Sequence, residues 1–113
     1  MPPRSQFTTA PPFAVEDAIR RLGSNLRTAR LRRNLSHADI ASKIGVDRHV
    51  ISDAENGKIS TGIGVYVGMM WVMNLIPSLT QVADPKADEI GLAAIGVLER
   101  ERARSGAGPS NDF

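Results

Sequence analysis

Residues 36–57 read Ser36-His37-Ala38-Asp39-Ile40-Ala41-Ser42-Lys43-Ile44-Gly45-Val46-Asp47-Arg48-His49-Val50-Ile51-Ser52-Asp53-Ala54-Glu55-Asn56-Gly57, and this stretch decides the fold. A serine oxygen accepts a backbone N–H of the first helical turn, and an acid three residues on reaches back to the serine N–H. Ser36 and Asp39 therefore predict a capped helix start. Ala38, Ile40, Ala41 and Ile44 are the apolar residues of that short helix. Gly45 stops it, because a residue without Cβ enters the left-handed region cheaply. Two residues later Asp47 caps a second helix and adds negative charge at its positive end. Val50, Ile51 and Ala54 form the buried stripe of this helix, and Asn56-Gly57 ends it. Ala41, Gly45 and Ile51 stand at positions 5, 9 and 15 of a segment beginning at His37. Small Ala41 lets two helices cross closely, Gly45 turns the chain, and Ile51 locks the second helix onto the first with Ile40 and Val46. This is the spacing of a helix-turn-helix.

Outward from this unit the signals stay helical. On the N-terminal side Ile19, Leu22, Leu26 and Ala29 recur at intervals of three and four, which predicts a helix over 15–33. Arg20, Arg21, Arg27, Arg30, Arg32 and Arg33 are expected on its other faces. On the C-terminal side Ser60 or Thr61 opens an apolar helix over 62–75, which Pro77 should end or kink. Asp84-Pro85 marks a turn. A last helix is expected over 88–104, with Ile90, Leu92, Ile95 and Leu98 as its apolar residues and Gly91 and Gly96 weakening it. The first 13 residues hold four of the seven prolines and no apolar run that would make a secretory signal. The expected architecture is all-α, a compact bundle of about five helices with a helix-turn-helix. A disordered Pro-rich tail over 1–13 precedes a DNA-binding domain over 14–83. A helical extension over 84–104 and a disordered tail over 105–113, rich in Gly, Ser and Asn, follow it.

Composition narrows the function. A chain of 113 residues makes one small domain with tails. Its apolar share of 42% supports a core that must be aliphatic, since only 4% of residues are aromatic. The absence of cysteine removes disulfides, thiolate zinc sites, iron–sulfur clusters and a cysteine nucleophile. His37 and His49 sit on different helices with no third ligand at metal-site spacing and no acid–base partner, so neither an enzyme, a metal nor a cofactor is expected. Residues 59–83 carry no charge, a length that could span a bilayer. Asn74, Pro77, Ser78, Thr80 and Gln81 make its second half polar, however, and a core or dimer helix is the better account. Met69, Trp71, Val72 and Leu75 are the expected contacts of a homodimer.

The net charge of +2 divides unevenly. Residues 20–49 carry +6 and the remainder −4. No acid stands at i+4 from the arginines of the first long helix, and the basic half suits a phosphate backbone.

The residues from Leu31-Arg32-Arg33-Asn34-Leu35-Ser36 through Ile51-Ser52-Asp53-Ala54-Glu55-Asn56-Gly57 resemble the Cro/C1-type (Xre family) DNA-binding domain. The resemblance covers about residues 22–82, with His37 where that family usually has Gln. Ala83-Asp84-Pro85-Lys86-Ala87-Asp88-Glu89-Ile90-Gly91-Leu92 is similar to the segment after this domain in HipB-like antitoxins. Residues 93–97 depart from the charged run of such tails. The resemblance implies a cytoplasmic, dimeric transcriptional repressor of double-stranded operator DNA, autoregulating a toxin–antitoxin operon. The alternative is an interaction module whose main role is neutralising a HipA-like toxin kinase.

The helix over 47–56 would then lie in the major groove and present its N-terminal residues to base edges. Position in the family points to Arg48, His49 and Asp53 as base readers. A guanidinium can bond guanine O6 and N7 together. An ion pair of Asp53 with Arg48 or Lys58 is the competing role for that residue. Ser36, His37, Lys43, Ser52, Asn56 and Lys58 are the expected phosphate contacts, which set register without reading sequence.

Overall fold

The computed structural model describes residues 5–106, and every regular element among them is a helix. These are α1 (Gln6–Thr9), α2 (Phe13–Arg32), α3 (His37–Ile44), α4 (Arg48–Glu55), α5 (Ile63–Val72), α6 (Ile76–Leu79) and α7 (Glu89–Arg104). The chain divides between Leu79 and Thr80 into two units.

The helix ends follow local chemistry. Ser36 Oγ accepts the Asp39 N–H at 3.0 Å, and Asp39 Oδ2 accepts the Ser36 N–H at 2.7 Å, completing the expected box. That backbone bond holds the Asp39 carboxyl below its usual range. Gly45 closes α3 at φ 72°, and Asp47 Oδ1 accepts the His49 N–H at 2.8 Å to start α4. Asparagine performs a similar task at two other ends. Asn34 and Asn74 adopt φ 54° and 60°. The next residue in each case donates back across the last turn, Leu35 to the Arg30 carbonyl and Leu75 to the Met70 carbonyl. This left-handed closure makes α5 shorter than the expected 62–75, because it ends before Pro77 is reached. Pro77 instead sits in the first turn of α6, where a missing N–H is tolerated. The expected N-terminal tail also differs. Ser5 Oγ accepts the Thr8 N–H and starts α1, and α2 begins at Phe13. Residues 1–4 and 107–113 of the two expected tails lie outside the described residues.

Leu26 of α2, Ile40 and Ala41 of α3, Ile51 and Ala54 of α4, and Tyr66, Met69, Met70 and Met73 form the core of the first unit. Gly23 lets α2 and α4 touch backbone to backbone. A Cβ there would lie 2.5 Å from the carbonyl oxygens of both Ala54 and Glu55. Met69 is fully enclosed in this core at 0% exposure and presents no surface to a second copy, whereas Trp71 is 63% exposed. Val72 and Leu75 are half-buried against the core.

The arginines of α2 are not the uncompensated basic face that the sequence suggests. Glu16 and Asp17 lie one turn before Arg20 and Arg21 and pair with them at 2.7 and 2.8 Å. Arg30 points into the domain.

In the second unit Asp84 Oδ1 accepts the Lys86 N–H around Pro85. Asp88 caps α7 through Gly91 N–H at 3.0 Å. No side chain of α7 is buried. Among the described residues no helix is long and apolar enough to cross a membrane.

Candidate nucleic-acid interface

A helix of eight residues has room for two faces, and α4 uses both. Ile51, Ala54 and Glu55 point inward and are buried. On the other side, Arg48 and Ser52, and His49 and Asp53, lie four residues apart, and Asn56 at the C-cap is four beyond Ser52. Ser36, His37 and Ala38, at the start of α3, meet Arg48, His49 and Ser52 across an open groove. Five of the nine expected DNA contacts thus converge there: Ser36, His37, Arg48, His49 and Ser52.

The other four lie apart from the groove. Asp53 pairs with Lys58 at 3.4 Å, with both side chains about half exposed. Such a surface pair is worth little to stability, but it engages Asp53 with a cation rather than leaving it free to meet a base. Lys58 thereby sits beside Ser60, Thr61 and Gly62, at the entry to α5. Lys43 is exposed in the last turn of α3, where a cation suits the helix end. Asn56 caps the far end of α4 and lines a separate hollow with Gly57, Arg20 and Thr8.

Beneath the groove lies a charged cluster. Arg30 Nε donates to Glu55 Oε2 at 2.7 Å and Arg30 Nη2 to Glu55 Oε1 at 3.0 Å. Their side chains are only 8% and 3% exposed. The remaining guanidinium nitrogen, Nη1, donates to the Leu35 carbonyl at 2.8 Å. His37 Nε2 completes the cluster at 3.0 Å from Glu55 Oε1. Burial pushes the Glu55 carboxyl up, but the hydrogen bonds from Arg30 and His37 and their charges outweigh it and hold the group below its ordinary value. One guanidinium therefore ties α2, the turn before α3 and the end of α4 together in a planar, two-bond geometry that lysine cannot reproduce. No buried side-chain nitrogen or oxygen among the described residues lacks a partner. His37 was expected at a phosphate; the structure places one of its ring nitrogens on Glu55.

Arg30 and Glu55 do not stand out in the sequence. They are 25 residues apart, Arg30 is one of six arginines between positions 20 and 33, and no local rule pairs them. Gly23 carried a weaker signal, a helix-disfavouring residue inside an apolar periodicity, which points to close backbone approach.

Comparison with known sequences agrees with this geometry. Residues 21–70 match a family described as a helix-turn-helix domain. The matched segment holds most of α2, all of α3 and α4, and most of α5, and so contains both the groove and the buried pair. The match spans less than half of the chain, and over that segment it supports a DNA-binding role. No curated protein and no solved structure matches it.

Proposed function

We propose that this protein is a sequence-specific transcriptional repressor that lays α4 in the DNA major groove. The observation that carries this is the division of α4. Its inward face is locked by Ile51, Ala54 and the Arg30–Glu55 pair, while Arg48 and His49 stand exposed in its first turn. A recognition helix reads bases from its N-terminal residues, and a rigidly held one keeps them in register. Arg48 is the principal reader and His49 the second. Asp53 acts through Lys58, orienting that cation toward the backbone. Ser36, Ser52, Lys43 and Lys58 supply phosphate contacts, as does His37 through its second ring nitrogen. Asn56 adds a phosphate contact at the far end of α4. The working form is a homodimer built on Trp71, Val72 and Leu75, with half-sites about 34–36 Å apart.

The test is to select a duplex from a random-sequence pool with the full chain, then compare Arg48→Ala with wild type on that duplex and on a scrambled one. Arg48→Ala should lose about 1–3 kcal/mol on the selected duplex and relax selectivity at the guanine it contacts. Equal loss on both duplexes would make Arg48 a backbone contact and move the reading elsewhere on α4.

A second reading, an antitoxin that also holds a kinase-like partner, is favoured by α7. This helix of 16 residues buries none of its side chains and leaves Ile90, Leu92 and Ile95 exposed. Co-purification with a kinase would support it, and its repeated absence would leave a plain repressor.

A further inference from the structure

The contact between His37 and Glu55 constrains more than the position of the ring. An ionised carboxylate accepts hydrogen bonds and donates none. Glu55 is ionised beside the Arg30 guanidinium. The hydrogen in the 3.0 Å contact must therefore be carried by His37 Nε2. In a neutral imidazole this leaves Nδ1 as a bare lone pair. Nδ1 has no hydrogen-bond partner among the described residues, and the side chain, 36% exposed, borders the groove that Arg48, His49 and Ser52 line from α4. A phosphate oxygen also offers only lone pairs. A neutral His37 would repel it, whereas a ring with hydrogen on both nitrogens bridges it to Glu55.

We propose that DNA binding by this domain takes up a proton at His37, so that the imidazolium lies between the Glu55 carboxylate and a backbone phosphate. This rests on the assignment of the α3–α4 groove to DNA and adds to it a dependence on pH. The charges around the ring favour the coupling. Below it the Glu55 and Arg30 charges offset each other. Across the groove, which His49 and Ser52 also line, the Arg48 guanidinium opposes a second cation in the free protein. Asp39, on the same helix, is committed to the Ser36 N–H. An arriving phosphate removes the opposition from Arg48 and rewards the added charge, so proton and DNA each strengthen the binding of the other. The proton comes from solvent, and no bond other than N–H is made.

Phosphate contacts are independent of sequence, so the experiment needs no known operator. The dissociation constant of the full chain for a short mixed-sequence duplex at low salt is measured between about pH 6 and 8, the interval in which histidine changes charge. Wild type should weaken as pH rises, by up to about tenfold per pH unit for each domain bound. His37→Gln should bind with little dependence on pH, its amide donating whatever the pH. His49→Gln leaves the His37–Glu55 contact intact and should still lose affinity as pH rises. A flat wild-type profile overturns the proposal, as does an unchanged slope in His37→Gln. Should His37→Gln fail to fold, calorimetry of wild type and His49→Gln in buffers of different protonation enthalpy counts the protons directly, and zero uptake in either is equally fatal. Absence of DNA binding at every pH would instead refute the assignment of the groove itself.

Discussion

Replacing Arg30 with methionine removes the guanidinium while keeping a side chain of similar length. Glu55, only 3% exposed, then loses bonds of 2.7 and 3.0 Å, and the Leu35 carbonyl loses its 2.8 Å donor. Breaking one side of a buried ion pair costs about 3–5 kcal/mol, because a charge is left in low dielectric without compensation. The first unit has roughly 75 described residues, for which a total stability of about 4–11 kcal/mol is ordinary. Arg30→Met should therefore remove a large share of the stability and lower Tm by tens of degrees, at about 4–8 °C per kcal/mol. Arg30→Met combined with Glu55→Leu removes both charges and should recover most of the loss. Urea unfolding followed by far-UV circular dichroism on the singles, the double and wild type supplies the numbers. Should Arg30→Met lie within about 1 kcal/mol of wild type, or the double be as unstable as the single, the pair would not be holding α4 as described. Acid provides an independent check. The Glu55 carboxyl is lowered on folding from an ordinary value of 4.5. Its stabilisation is complete above that value and is lost as pH falls through the lower, folded one. Glu55→Gln should be less stable than wild type at neutral pH and show a shallower decline in acid, measured by the same unfolding curves.

Three other outcomes follow from the packing. Gly23→Ala should destabilise by about 1–3 kcal/mol in thermal melts, despite the better helix propensity of alanine, because the new Cβ meets two backbone carbonyls. Met69→Ala should cost about 2–5 kcal/mol as a core cavity and be read as stability, whereas Trp71→Ser should leave stability nearly unchanged and weaken self-association in analytical ultracentrifugation. Lys58→Gln should weaken binding to all duplexes alike and reduce the slope of log affinity against log salt by about one, and an unchanged slope removes Lys58 from the phosphate contacts.

What was legible in the sequence is what short-range rules govern. The Ser36–Asp39 box, the Gly45 turn, the Asp47 cap and the buried Ile51 each depend on neighbours a few residues away, and each stands where its spacing indicates. The ends of α2 and α5 were harder, because Asn34 and Asn74 take a backbone conformation usually given to glycine. The Glu16–Arg20 and Asp17–Arg21 pairs were readable in principle, since the acids precede the arginines by one turn, the orientation favoured on helices. The charged cluster of Arg30, Glu55 and His37 was not. It forms only when three helices meet, and by composition Arg30 is indistinguishable from its five arginine neighbours. Met69 failed as a dimer contact for a related reason: an apolar helix does not disclose which of its residues face its own core.

The two faces of α4 share no residue. Ile51, Ala54 and Glu55 belong to the interior, and Arg48, His49 and Ser52 to the groove. Side chains in the groove set can be exchanged without disturbing a buried contact of α4 itself. Under the function proposed above, this makes the helix an interchangeable reading head on a fixed mount: new sequence preferences could be explored at these three positions while Arg30, Gly23 and the methionine core keep the mount intact.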